Sequence, residues 1–353
     1  MEFLSVTRSL RIAMIAPPWF DLPPKGYGGI EYMCSSLVDA LVDRGHHVTL
    51  VSSGRNGTKA QQHVRTYESP QWRRLGEPLP DLVHAASVRR ILESMDIDVV
   101  HDHSLTGPLL AAQRTTPTVV TLHEPVAGDY KEYFSSLGDS VRLVAISSSQ
   151  RATAPEMNWC ATVHNGTNPD NFRFQQKKEN WVLFLGQCVP HKGMHIAIDA
   201  AREAGVGIRI AAKCSEPAEI EYFDSEIRPR LSKGDDAEWL NEVGGEQKKS
   251  LLSAARCLIF PISWDEPFGM VMIEAMASGT PVVALNRGSV SEIVDDGLTG
   301  IVCESPADLP TAILRSAQLD PEDCRRAAVG GFTSDLMAER YETVYESAIA
   351  STS

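Results

Sequence analysis

No stretch of this 353-residue chain holds the ~18 consecutive apolar residues that a membrane-spanning helix requires. Positive charge is scarce. The 33 Lys and Arg stand against 46 Asp and Glu, a formal net charge of -13, which disfavours nucleic acid or an anionic membrane surface as the main partner. The seven Cys show no C-x-x-C spacing and most sit in apolar runs, so buried thiols in a reducing compartment are expected rather than disulfides or zinc. Neither an internal repeat nor a low-complexity tract is present. The opening "MEFLSVTRSLRIAMIAPPWF" has an apolar run too short for a secretory signal and broken by Arg8, Arg11 and Pro17. A cytoplasmic protein without stable membrane insertion is therefore expected, with the Asn-x-Thr triplets at Asn56 and Asn165 as chance matches.

What the chain does have is 43% hydrophobic content over a length that exceeds a usual single core, which implies two domains. Short β-branched runs alternate with amphipathic stretches, the signature of parallel βαβ units. Strands are expected at "RIAMIAP" (from Arg11), "HVTLVSS" (from His47), "DVVHDH" (from Asp98), "PTVVTLH" (from Pro117) and "RLVAISS" (from Arg142). A helix with the apolar face Ile30, Met33, Leu37 and Leu41 follows the first strand and stops at Gly45. The polar stretch Asn168 to Trp181 reads as a linker. Beyond it, "WVLFLG", "GIRIAAK", "CLIFPI" and "PVVAL" are strands, with helices over Met194 to Glu203 and around Glu246 to Ala255. The expected fold is α/β with two Rossmann-like domains whose parallel sheets face each other across a cleft. The N-terminal domain covers 1–168 and the C-terminal domain 169–335, and a helix over 336–353 packs back on the N-terminal domain.

The stretch "WDEPFGMVMIEAMASGTPVVA", Trp264 to Ala284, places two carboxylates eight residues apart. Pro267 and Gly269 keep Glu266 on the strand-to-helix loop, while Glu274 falls inside a helix otherwise made of buried residue types. The start of that helix offers unpaired N–H groups and the positive end of the dipole, suited to phosphate, and an adjacent carboxylate can accept hydrogen bonds from sugar hydroxyls. From spacing alone, a buried acid satisfied by backbone amides and a dipole-capping acid account for the same pattern equally well.

Together with "GYGGIE" (Gly26 to Glu31), "TLHEP" (Thr121 to Pro125), "HNGTN", "LGQCVPHKG" (Leu185 to Gly193), "EVGGEQKKSLLSAA" (Glu242 to Ala255) and "GSVSEIVDDGLTG" (Gly288 to Gly300), this stretch resembles the retaining GT-B glycosyltransferases of family 4, a group with glycogen synthase-like and phosphatidylinositol mannosyltransferase-like members. The resemblance spans nearly the whole chain. It implies transfer of a hexosyl group from a nucleotide sugar, with a UDP-sugar first among donors, to a hydroxyl of a small molecule, saccharide or glycolipid. Retention in such enzymes is explained by front-face attack, in which the leaving diphosphate accepts the proton of the acceptor. The resemblance also implies that Glu274 binds the ribose, that Glu266 meets the donor sugar, and that the amides of Phe268, Gly269 and Met270 hold sugar and phosphate oxygens. Val243 joins the substrate-binding set. Gly28 and Gly29 let the loop backbone approach the diphosphate, Lys192 supplies a cation for the leaving group, and His123 reaches the donor sugar or the departing oxygen.

One position departs from the family. Gln187 stands where an Arg is usual, so half of the cationic clamp is neutral and each contact loses its charge-assisted share. Lys213, at the end of "GIRIAAK", is a candidate replacement that would complete the diphosphate site. His101 and His103 share a strand face without a third ligand in view, so no metal and no other cofactor are expected. The loops 68–81 and 126–140, with Trp72, Tyr130, Tyr133 and Phe134, are candidate acceptor walls. Three other classes stay open: a glycoside hydrolase, which needs two carboxylates facing one another across a sugar; a GT-B-type nucleotide-sugar epimerase, which needs no acceptor; and a catalytically weak nucleotide-sugar binder, which Gln187 would explain.

Overall fold

A computed structural model describes residues 8–26, 28–231, 234 and 236–351. Most of the leader-like stretch lies inside that range, but its first seven residues lie outside it, as does Tyr27 of the glycine loop. Two compact units emerge, one made of the chain up to Pro24, Gly28–Gly166 and the segment from Ser334 onward, the other including Thr167–Thr333.

The first unit holds seven strands: β1 (Arg11–Ile15), β2 (His47–Ser53), β3 (Gln62–Tyr67), β4 (Val99–Asp102), β5 (Thr118–Thr121), β6 (Arg142–Ala145) and β7 (Trp159–Thr162). They pair in parallel in the order β3-β2-β1-β4-β5-β6-β7. The second holds six: β8 (Trp181–Gln187), β9 (Gly207–Lys213), β10 (Ala237–Trp239), β11 (Leu258–Phe260), β12 (Val282–Leu285) and β13 (Gly300–Cys303), ordered β10-β9-β8-β11-β12-β13. Its pairings are parallel too. The expected fold class, α/β with two Rossmann-like domains, is the one observed. Central strands are buried on both faces by their crossover helices, which is why they read as continuous apolar runs: in β1 only Arg11 is not fully enclosed, and all of "VVAL" in β12 is buried.

The sequence reading missed four strands, β3, β7, β10 and β13, and these are the four edges of the two sheets. An edge strand has one side without a partner strand, and "QHVRTY" of β3 has only exposed and half-buried positions and no run of core residues. The polar stretch 168–181 is no free linker either. Arg325 donates to the carbonyl of Pro169 at 2.6 Å, Phe172 is buried, and Trp181 already opens β8, so backbone acceptors and one aromatic tie the segment into the second unit.

Five helices carry or position the side chains of interest: α1 (Gly29–Asp43), α2 (Met194–Glu203), α3 (Gly245–Ala254), α4 (Met270–Ala277) and α5 (Ser334–Ala350). In α1, Met33, Leu37 and Leu41 are fully buried while Ile30 is half-buried. Helix α5 belongs to the first unit and packs on α1, β4 and β5. Its anchor is polar. Arg44 grips Glu342 with Nε on Oε1 (2.7 Å) and Nη2 on Oε2 (2.8 Å), and His46 Nε2 meets the same Oε1 at 2.8 Å. The Leu10 amide donates to His46 Nδ1 at 3.1 Å, so the imidazole can stay neutral and still donate to Glu342. Burial alone would raise the Glu342 carboxyl, but the bonds from Arg44 and His46 outweigh it and hold the group below the usual carboxylate value.

Breaking this buried anchor with Glu342→Ala is expected to cost about 3 kcal/mol, because Arg44 is left without its fork partner. Since the folded carboxyl is depressed, its contribution is fully present above the unfolded value of about 4.3 and is lost as the pH falls through the folded value. Thermal melts of both proteins from pH 7 to 3 check this: the gap between them should close only below about pH 4. A gap of constant size over that range would show that packing, not the ion pair, sets the difference.

Candidate active site

In the second unit the strand order reverses between β8 and β11, and in open parallel sheets ligands bind beyond the carboxyl ends of the two strands at such a switch. The loops leaving those two ends carry Lys192 and Glu266. The structure joins them: the Lys192 ammonium is ion-paired with Glu266 Oε2, and the indole N–H of Trp264 donates to the same oxygen at 2.9 Å. The ammonium also lies 4.9 Å from the centre of the Trp264 ring, whose other neighbour is the His191 ring at 4.8 Å. Both ionic side chains keep a small exposed fraction, 17% and 12%, so the pair is partly desolvated yet reachable.

The Glu266 loop is locked from the loop after β12. The Ser289 amide donates to the Glu266 carbonyl at 3.0 Å, and the Ser289 hydroxyl donates to the Phe268 carbonyl at 2.7 Å. Gly288 has φ 55°, and a Cβ there would stand 2.2 Å from the Glu266 carbonyl oxygen, so only glycine lets the two loops touch. Gly269 immediately precedes α4, and the amides of Gly269 and Met270 lie at a helix start where no preceding turn supplies an acceptor. Glu274 sits inside α4, 3% exposed, and its Oε1 accepts from Lys248 Nζ of α3 at 2.7 Å. The partner of the buried Glu274 side chain is thus a lysine and not the backbone amides that spacing alone allows. Val243, just before α3, is buried.

Gln187 and Lys213 are register partners at the ends of β8 and β9. Both are turned to a third side chain that sequence reading did not single out. Gln187 Nε2 donates to Glu219 Oε1 at 2.6 Å, and Lys213 Nζ donates to Glu219 Oε1 (3.1 Å) and Glu216 Oε1 (2.6 Å). The amides of Ser215 and Glu216 complete Glu219 at 2.7 and 2.9 Å. Burial works against that carboxyl's charge, but these donors together hold it below its ordinary value. Gln187 and Lys213 thus gather on Glu219.

The first unit places His123 just past β5, where its Nε2 lies 2.9 Å from His103 Nδ1. Burial pushes His123 down to about 4 and His101 down to about 3, so both rings are neutral at pH 7. Gly28 has φ 146°, and a Cβ there would stand 2.9 Å from the Pro24 side chain; the loop itself requires this glycine. Gly29, by contrast, has open space where its Cβ would be. Of the aromatic residues on the two expected acceptor loops, Phe134 is core, with Tyr130 and Tyr133 edge-on to it, while Trp72 is 50% exposed. Among the described residues no three His, Cys, Asp or Glu side chains gather as a metal-ligand set, and no helix is long and apolar enough to cross a membrane.

Two parallel-sheet Rossmann-like units, with the Lys192–Glu266 pair beyond the strand ends of the second, have the architecture of the GT-B class of transferases. The sequence profile of "Glycosyltransferase Family 4" matches residues 27–171 and that of "Glycosyl transferases group 1" matches 168–329. Similar proteins include an uncharacterized glycosyltransferase of Methanocaldococcus jannaschii, 27% identical with 81% of this chain and 84% of that protein aligned. A phosphatidyl-myo-inositol mannosyltransferase of Mycobacterium leprae is 25% identical over 97% of this chain and 98% of its own. The crystal structure of AviGT4, a glycosyltransferase involved in avilamycin A biosynthesis, superposes with a TM-score of 0.74 at 27% identity, covering 97% of this chain and 98% of that one. The chain belongs to the family-4-type GT-B glycosyltransferases and is a glycosyltransferase enzyme.

The Lys248–Glu274 pair gives a test independent of catalysis. Lys248→Met strands a buried carboxylate and should lower stability by about 2 kcal/mol, whereas adding Glu274→Gln should recover most of the loss. Denaturant titration of the two single variants and the double variant measures the coupling; additive losses would mean that the two side chains do not act on each other.

Proposed function

We propose that this enzyme moves a glycosyl group from a nucleotide sugar, a UDP-sugar first among donors, to a hydroxyl of a small molecule, saccharide or glycolipid, with retention of anomeric configuration and without a metal ion. The observation that carries the reading is the Lys192–Glu266–Trp264 cluster at the switch point of the second sheet, one helix start away from the buried Glu274. Family membership and the likeness to a mannosyltransferase acting on a phosphatidyl-myo-inositol support a hydroxyl acceptor.

In this mechanism Glu274 accepts hydrogen bonds from the ribose diol and Glu266 from hydroxyls of the donor sugar. Lys192 then exchanges part of its bond with Glu266 for the phosphate oxygen that gains charge as the glycosyl–oxygen bond breaks, and the first amides of α4 share that charge. The acceptor oxygen forms the new bond on the same face of the sugar, and its proton passes to the departing diphosphate, so atoms and charge balance without a catalytic carboxylate. Two lysine-paired glutamates are a poor match for a glycoside hydrolase, which uses one neutral acid beside one free carboxylate.

Thermal shift against UDP-, GDP-, ADP- and dTDP-sugars is expected to single out one nucleotide, and proton NMR of the product should show the donor's anomeric configuration kept. Donor binding with no turnover would mark a binder, and conversion of the donor without acceptor an epimerase. Lys192→Ala should lower kcat roughly 100-fold, since it removes a cation aimed at the leaving group. Activity is expected to survive EDTA; a chelated, inactive enzyme restored only by manganese or magnesium would overturn the metal-free part of the reading.

A further inference from the structure

The first unit contains a row of three histidines to which the steps of the proposed reaction assign no role. His101 and His103 lie on and just past β4, with ring centres 4.0 Å apart, and His123 lies just past the neighbouring strand β5. His101 is satisfied on both nitrogens by hydroxyls, Tyr345 of α5 on Nδ1 and Thr121 on Nε2, each at 2.8 Å. His103 is different. Its Nε2 lies 3.2 Å from the Met14 sulfur on β1, and its Nδ1 lies 2.9 Å from His123 Nε2.

A thioether has no hydrogen to give, so in that contact the hydrogen must sit on His103 Nε2. The rings facing His103 are imidazoles and its third neighbour is sulfur. Asp102, between the two histidines, points to the other face of the strand and is bonded to the Ser104 amide and hydroxyl. Among the described residues no carboxylate is hydrogen-bonded to His103, and burial pushes the ring well below its usual value. A neutral His103 with its hydrogen on Nε2 carries a lone pair on Nδ1. That lone pair can only accept, so His123 Nε2 must be the donor.

We propose that His103 is a positioning residue that holds His123 as the Nε2–H tautomer, so that Nδ1 of His123, which has no partner among the described residues, is a bare acceptor for a hydroxyl hydrogen of the substrate. The substrate part rests on the proposed function; the tautomer does not. It makes His123 a reader of a hydroxyl that donates, and it rejects a group that can only accept, such as a keto or carboxylate oxygen at the same place. The relay runs Met14 sulfur, His103, His123, then substrate, with one hydrogen between each pair and no net charge.

Nitrogen NMR of the unliganded protein labelled with 15N-histidine decides the tautomer, with His123→Gln supplying the assignment. Between pH 8 and pH 6 His123 should show a hydrogen on Nε2 and a bare Nδ1. His103→Asn, whose Oδ1 stands near the place of Nδ1, should keep that pattern, and His103→Leu should lose it. With UDP-glucose as probe, His103→Leu should raise KM roughly tenfold, the size of one neutral hydrogen bond, with a smaller change in kcat. If His103→Leu does not fold, Met14→Leu serves instead: it keeps the volume, removes the sulfur acceptor and should shift His123 toward a mixture of tautomers. A hydrogen on His123 Nδ1 in the wild-type protein, or an unchanged pattern in His103→Leu or in Met14→Leu, overturns the proposal. A lost tautomer with an unchanged KM overturns its substrate part. Failure of UDP-glucose to react in any variant, with the Nε2–H tautomer in place, would count against the assigned reaction and leave the relay standing.

Discussion

Parallel pairing sends the carboxyl end of every strand to the same edge of its sheet, and the candidate site depends on that constraint. The second sheet has the order β10-β9-β8-β11-β12-β13, so β8 and β11 are neighbours although β9 and β10 separate them in the chain. Their exit loops must diverge to opposite sides, and the space between them is where Lys192 and Glu266 meet. The same geometry in the first sheet puts the exits of β1, β4 and β5 side by side, which brings Met14, His103 and His123 within hydrogen-bond reach although they lie far apart in sequence.

The electrostatics of the candidate site are arranged as exchangeable pairs. Glu266 and Glu274 each hold a lysine, and Glu219 holds Lys213 together with Gln187. Half-buried ion pairs of this kind return little net stability, since desolvation offsets most of the attraction. What they do is hold each lysine against its carboxylate in one fixed geometry. The Glu219 cluster also gives Gln187 a setting of its own. Glu219 already receives Lys213 and two amides, so a neutral donor opposite it adds a hydrogen bond without adding a second cation to the same oxygen.

Legibility in the sequence followed burial. The strands at the centre of each sheet announce themselves where their covered residues form apolar runs, as in "WVLF" of β8 and "IAMI" of β1. Edge strands β3, β7 and β10 have few buried residues and a mixed composition that resembles loop, while β13, only four residues long and buried at three of them, is too short a run to stand out beside the glycines around it. Glu266 and Glu274 stood out because acids are rare in so apolar a stretch. Their partners did not: Lys248 is one of two adjacent lysines on a polar helix, and nothing local tells which of them reaches Glu274. Trp264 could be seen to open the motif, but only the folded loop shows its indole on Glu266.

By itself the sequence determined the alternation of strand and helix, the two-domain α/β class, and the positions of the Pro and Gly that stop α4 from absorbing Glu266. These are local properties, set by hydrophobic period and backbone preference within a few residues. Pairings such as Lys248 with Glu274, Gln187 with Glu219 and His103 with His123 were decided only by the tertiary structure. Each joins side chains from different elements, and a hydrogen bond depends on tenths of an ångström that strand order and register set, which no short window of sequence contains.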